Sequence, residues 1–484
     1  MVSLQDAFVA VILIGLLLLV GRLLRERITV IRTLFLPSSV VAGVLALLLG
    51  PQVLGGLAER LAGPGSPLAG GIFPAEVLQS WRAIPGLLIS VVFAALFLGQ
   101  TIPRPGEIWQ KAGPQVAVGQ ILAWGQYALG MLLALLILAP LFGMNPMAGA
   151  LIEIGFEGGH GTAAGLAGTF EELGFAEGAD LALGLATIGI VTGIIVGTIL
   201  INWGARSGRL QVNGERSDAT PFQDELRERE DRAFEYERPE DETQTTDPLS
   251  LQFGAVGLAI AIGWLIQQAL IFIESVTWAR GEGPALFPHV PLFPLAMLGG
   301  VILQVFLNMV GHGKAIDRRL MSRISGASLD FIIVAALATL SLTVLGEHLA
   351  PFLLLALTGV AWNVFVFIYL VPRIIPRHWF ERGLGDFGQS MGVTVTGLLL
   401  IRMSDPTNRS GAAESFGYKQ LLTEPFVGGG LITAASLPLI AHLGPVTFML
   451  LAGGALLFWV VFGILTFGRG RSGPETNSPD PTTT

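Results

Sequence analysis

Two polar, glycine-rich segments interrupt a chain that is otherwise strongly apolar. The first reads Glu153-Ile-Gly-Phe-Glu-Gly-Gly-His-Gly-Thr162, the second Gly385-Asp-Phe-Gly-Gln-Ser-Met-Gly-Val-Thr394-Val-Thr-Gly. Glycines 155, 158, 159 and 161 let the backbone turn sharply and approach a ligand closely. A helix restarting at about Thr162 would present free N–H groups and its positive dipole end, which suits an anionic group. Thr162, Thr394 and Thr396 offer hydroxyls, and Gln389 and Ser390 neutral polar contacts. A hard monovalent cation would take carbonyls released by broken helices, together with carboxylates.

The charged residues leave several roles open. Glu153 and Glu157 are four apart and share a face if helical. A carboxylate at membrane depth is costly, so Glu157 must ligate a cation, carry a proton, or pair with a neighbouring group. His160 is either a hydrogen-bonded structural residue or a ligand contact. Asp386 either caps the second segment's helix or serves the site. Arg402 is either an interfacial anchor or a bidentate clamp on a carboxylate. Gln120 and Gln126 in the fourth apolar run, and Asn363 in the ninth, can brace the segments or line a path.

The elements that must position these groups are transmembrane helices. Of 484 residues, 52% are hydrophobic and only 13% charged, against about 25% charged in soluble domains. Repeated apolar runs long enough to cross a bilayer make this a polytopic membrane protein. Its 63 glycines suit close helix approach. With no cysteine, disulfides, thiolate catalysis and cysteine-bound metals are excluded. The sequence also has no HExxH or comparable metal spacing, and no nucleophile–base constellation, which argues against an enzyme. The run from Leu4 to Leu24 lacks a basic start and a cleavage site, and reads as a retained helix.

The apolar pattern predicts eleven spans: Leu4–Leu24, Leu34–Leu54, Ile84–Leu98, Val116–Phe142, Leu181–Trp203, Leu251–Ile273, Leu292–Val310, Leu329–Leu345, Phe352–Val371, Pro425–Leu443 and Val446–Phe467. The two glycine-rich segments are too broken to count. Residues 207–248 hold 13 acids and 6 bases. That accounts for nearly all of the formal net charge of −8, and reads as a disordered acidic linker.

Basic residues set the orientation. Arg22, Arg25, Arg27 and Arg32, then Arg104 and Lys111, then Lys314, Arg318, Arg319 and Arg323, then Arg373, Arg377 and Arg382, and finally Arg469 and Arg471 fall on one side. Arg60, Arg82 and Arg280 fall on the other. This places the N-terminus outside, and the linker and C-terminus in the cytoplasm. It also requires each broken segment to enter and leave on one side. The first would dip in from outside, beside Glu171, Glu172, Glu177 and Asp180. The second would dip in from the cytoplasm, beside Arg402, Arg409 and Lys419.

Five spans with a hairpin before the fifth occur twice, and the odd number inverts the second copy. This is the inverted-repeat pattern of secondary transporters. Pro37-x5-Gly43-Val-Leu echoes Pro294-x5-Gly300-Val-Ile, and Thr162-Ala-Ala-Gly-Leu echoes Thr394-Val-Thr-Gly-Leu. The expected organisation is a repeat over 1–206 with a hairpin near 145–175, the linker 207–248, and a repeat over 249–444 with a hairpin near 378–403. An additional helix over 445–468 and a disordered tail over 469–484 follow.

Gly158-Gly-His-Gly-Thr-Ala163, Leu173-Gly-Phe175, and Leu185-Ala-Thr-Ile-Gly-Ile-Val-Thr-Gly-Ile194 resemble the bacterial sodium/glutamate symporters. Leu36-Pro37 with Val41-Ala-Gly43 is also similar to that family. The second segment, Phe387-Gly to Thr396-Gly, is similar in glycine spacing. The resemblance implies an all-α membrane protein of two inverted five-helix repeats, each with a re-entrant hairpin. It implies sodium-coupled symport of L-glutamate across the plasma membrane, with no cofactor beyond the coupling sodium. Glu153 and Glu157 depart from the family's small polar residues at these positions, and bear on the substrate.

The expected substrate contacts are Gly158, Gly159, His160, Gly161, Thr162, Gln389, Ser390, Thr394, Thr396 and Arg402. The expected ion contacts are Glu153, Gly155, Glu157, Asp386 and Gly388. Partners are a small anionic substrate, lipid and a second copy in a homodimer, with no nucleic acid. Spans one, two, six and seven are expected to form a scaffold, against which a hairpin-bearing core slides as an elevator. Proton-coupled transport of another carboxylate is the alternative, followed by a channel or a membrane-embedded enzyme.

Overall fold

The computed structural model describes residues 3–33, 36–63, 65–100, 105–210, 248–277, 287–406 and 409–468. Most of the expected linker, the tail, and Arg104, Arg280, Arg469 and Arg471 lie outside the described residues. Among those described, every regular element is a helix. Eleven helices are long and apolar enough to cross a membrane. A helix satisfies its own backbone, which lipid cannot do.

The first half builds α1 (Leu4–Arg27), α2 (Ser38–Leu49), α3 (Ala75–Ala95) and α4 (Pro105–Leu133), whose helical course continues to Phe142. Short helices α5 (Leu151–Phe156), α6 (Gly159–Gly165) and α7 (Ala167–Glu172) precede the long α8 (Glu177–Arg206). The second half builds α9 (Pro248–Val276), α10 (Leu292–Met309), α11 (Arg318–Ala338), α12 (Leu349–Phe365) and α13 (Trp379–Ser404). It ends with α14 (Ala412–Thr423), α15 (Leu431–Leu443) and α16 (Pro445–Phe467).

The number of long apolar helices matches the expectation, but the set differs. Pro425–Leu443 is not one span. Only Leu431–Leu443 is helical there, because Gly428 and Gly429 take positive φ and open a loop after α14. The count is made up by Trp379–Ser404, which contains non-helical Gly392 and Val393. At that break the chain doubles back: a Cβ on Gly388 would sit 2.8 Å from the Gly397 Cα, and one on Gly385 2.6 Å from Ile401 Cδ1.

The eighth span also differs, running over Arg318–Ala338 rather than Leu329–Leu345. Asp317 caps its start by accepting from the Arg319 and Leu320 N–H groups. The Arg318 guanidinium donates to the Ala95 and Leu96 carbonyls at the end of α3. These two interactions draw a charged turn into the helix.

Two bundles emerge from the packing. One joins α1, α2, α3, α9, α10 and α11. The other joins α4, α8, α12, α13 and α14 with the short helices α5 and α6, while α16 lies along α4. The four helices expected to form a scaffold thus pack together with the third and eighth spans. Within the first bundle, small residues allow backbones to touch: a Cβ on Gly263 would meet Ala296 at 2.5 Å. Between the bundles, α6 rests on α3 and α11. There a Cβ on Gly165 would meet Ile89 Cγ1 at 2.9 Å, and one on Gly161 would meet Leu329 Cδ1 at 3.1 Å.

Candidate substrate and ion site

Three broken segments converge half-way along the long helices. Coming off α4, the chain folds back beside it, so that Glu153 on α5 reaches Tyr127 on α4. The Tyr127 hydroxyl donates to Glu153 Oε2 at 2.5 Å. The first arm of α13 approaches from the other end of α4, with the Gln115 amide donating to the Arg382 carbonyl at 3.4 Å. Its tip is held at Ser390, whose carbonyl accepts from Gln126 Nε2 at 2.7 Å and Asn363 Nδ2 at 3.0 Å. Gln126 and Asn363 lie near the middles of helices Trp109–Phe142 and Leu349–Ile374. Thus the second tip is braced half-way along these two helices by Gln126 and Asn363, two of the three amides that the sequence singled out.

The tips touch directly. Gly159 has φ +71°, and a Cβ there would collide with Val393 Cγ1. Val393 itself has φ 60° and ψ 175°, a conformation that is essentially glycine's alone. The Thr396 hydroxyl is committed to this turn, donating to the Gly392 carbonyl at 2.5 Å. Gly155 and Gly388 serve close packing: the first faces Ala182 and Leu185 of α8, the second Gly397 of its own hairpin. Gly158 packs by Thr162.

Glu153 and Glu157 are both buried. Glu153 Oε1 accepts from the Gly428 N–H at 2.9 Å and the Thr433 hydroxyl at 2.7 Å, besides the Tyr127 bond. It therefore ties the first hairpin to α4 and to the glycine loop before α15. Glu157 accepts from Gln389 Nε2 and the Ser390 hydroxyl, both at 3.3 Å, and so spans the two hairpin tips. His160 Nε2 lies 3.0 Å from the Thr187 hydroxyl on α8. Thr162 is buried beside Gly429.

The second hairpin brings Asp386 and Gln389 to Lys419 on α14. Lys419 Nζ donates to Gln389 Oε1 and lies 3.5 Å from Asp386 Oδ1, both charged side chains fully buried. Thr394 accepts from Gln420 Nε2 at 2.7 Å and donates to Glu424 at 3.2 Å. Arg402 follows Ile401, which packs against Gly385 on the first arm. It sits ten residues past the tip on the second arm, about 15 Å along the helix.

The sequence reading missed the third segment. Lys419 counted there as a cytoplasmic-side basic residue and is instead fully buried. Gly428 and Thr433 fell inside an assumed continuous span, and Tyr127 carried no signal in an apolar helix. The one available sign was the run Gly428-Gly-Gly430 after Glu424-Pro425.

A family model described as sodium/glutamate symporter matches residues 109–399. The chain belongs to this family. The match covers more than half of the chain and takes in both hairpin tips. No curated protein and no solved structure matches the chain. This symporter-family chain is thus a multi-pass membrane transporter of a small molecule and not an enzyme, with sodium as the coupling ion that its family implies.

Proposed function

We propose that the chain carries L-glutamate, or a related anionic amino acid or organic acid, together with sodium by an elevator-type motion. The observation that carries this reading is the charge gathered where the hairpins meet. Glu157, Asp386 and Glu424 lie around one buried lysine, Lys419, and Glu153 lies beside Glu157. An anionic substrate entering so acidic a site needs cations to accompany it, since unpaired charge at membrane depth is strongly disfavoured. Buried oxygens are ready to receive them: Gln126 Oε1 and both Asp386 carboxylate oxygens accept no well-formed hydrogen bond among the described residues. A buried acceptor without a partner calls for a water or an ion beside it. Substrate recognition falls to the hairpin backbones at 158–162 and to the Gln389, Ser390 and Thr394 side chains.

In this reading the two hairpins are re-entrant, and the halves 1–206 and 249–444 are inverted repeats with the N-terminus outside. The bundle of α1, α2, α3, α9, α10 and α11 is the scaffold and carries the dimer contact. The other bundle moves. Its apolar, glycine-lined border at α6 supports sliding, because no ion pair has to break along it at Gly161 and Gly165.

The test is uptake of radiolabelled L-glutamate into proteoliposomes. An inward sodium gradient should drive accumulation, and choline replacing sodium should abolish it. Uptake driven by a proton gradient alone would overturn sodium coupling. No glutamate uptake under either gradient would overturn the substrate.

A further inference from the structure

Among the described residues, Lys419 is the one lysine or arginine that is fully buried. We propose that it is a tethered cation: its ammonium holds a position beside Asp386 and Gln389 that a sodium ion would otherwise fill, so that the chain neutralises its site with one sodium fewer. This rests on the transport reading above and concerns how the same site is charged.

Three observations support it. Firstly, the ammonium is coordinated as a cation would be, by oxygens from one hairpin: Gln389 Oε1 and Asp386 Oδ1. Through Gln389, whose amide donates to Glu157 Oε1, its position is linked to the first hairpin as well. Secondly, space for it is built. A Cβ on Gly119 of α4 would lie 2.5 Å from Lys419 Cε, and the Phe416 ring lies beneath at 5.6 Å. Thirdly, the pair with Asp386 is loose. At 3.5 Å it is longer than a charge-assisted hydrogen bond of about 2.8 Å, and neither Asp386 oxygen accepts a well-formed hydrogen bond. A buried pair kept for rigidity alone needs good geometry and full satisfaction.

The charged groups facing Lys419 are Asp386 on α13, Glu157 on the first hairpin and Glu424 beyond its own helix; behind them stand Arg382 beside Asp386, Glu153 beside Glu157, and Arg318 of α11 facing Glu424. α4 faces it with Gly119, and supplies Gln115 and Gln120 nearby in sequence. The surroundings are thus net acidic, and removal of the ammonium leaves a carboxylate requiring another cation.

Three full-length proteins decide the matter: wild type, Lys419→Met, and Asp386→Asn with Lys419→Met. Each is melted in detergent in sodium chloride and in choline chloride of equal ionic strength. Sodium should raise the melting temperature of Lys419→Met more than that of wild type, because one more ion binds the folded state. The double variant, which needs no replacement cation, should fall back to the wild-type response. In proteoliposomes the Hill coefficient for sodium should rise in Lys419→Met, since its upper limit is the number of sites.

Equal sodium responses in wild type and Lys419→Met would overturn the proposal. If Lys419→Met folds only in sodium, the tether stands. If it folds in neither salt while the double variant folds in both, Lys419 is a structural partner only and the proposal falls. A wild type that takes up no glutamate would sink the transport reading, yet the melting comparison would still decide the tether.

Discussion

Glu153 accepts from the Tyr127 hydroxyl, the Thr433 hydroxyl and the Gly428 N–H, which come from α4, α15 and the glycine loop. Three donors fit the acceptor capacity of a carboxylate, and each bond to a charged group contributes about 1.5–3 kcal/mol. Tyr127→Phe removes one donor without changing the ring that packs on Phe448. Its expected cost is about 1–3 kcal/mol, read as a lowered melting temperature in detergent. Glu153→Gln should cost more, because the new amide N–H groups would face donors. Glu157 differs: its two bonds are long, at 3.3 Å, and both come from the opposite hairpin. Glu157→Gln should therefore melt close to wild type while losing sodium-driven uptake. A Glu157→Gln protein with normal sodium dependence would remove this residue from the ion path.

The hairpin tips are where local strain and close contact coincide. Val393 sits at φ 60°, at a cost of about 1–3 kcal/mol for such a conformation. Val393→Gly should relieve more than the roughly 0.5–1 kcal/mol that glycine's extra chain entropy takes back, and so raise the melting temperature. Gly159→Ala should do the reverse, since it meets positive φ and the Val393 side chain together. If Val393→Gly destabilises instead, the contact of Val393 with Gly159 outweighs its strain. These tips were legible in the sequence because glycine, histidine and glutamate together are foreign to an apolar helix. The exact position of the break in the second segment was not, because valine at positive φ has no signature. Lys419 was hidden for another reason: its partners Asp386 and Gln389 are about thirty residues away, and only the return of α14 along α4 brings them together. The tenth span misled because Leu431–Leu443 is apolar enough to extend the reading back over a loop.

At the scale of the molecule, the two bundles meet where α6 rests on α3 and α11. A Cβ on Gly165 would stand 3.3 Å from the Ile89 Cβ, close to the spacing of about 3.5–4.5 Å that a disulfide needs. The chain has no native cysteine, so a pair placed here, Gly165→Cys with Ile89→Cys, reports on this border alone. If the core moves against the scaffold, oxidising the double variant should stop transport, and reductant should restore it. Each single variant should be indifferent to oxidation. The sodium-induced rise in melting temperature should survive the cross-link, because Glu153, Glu157, Asp386 and Lys419, the proposed ion-site residues, all lie in the bundle proposed to move. Transport that continues with the cross-link fully formed would mean that α6 and α3 keep their contact throughout the cycle. The moving part would then have to be sought within the hairpins, at the Gly159–Val393 contact, rather than between the bundles.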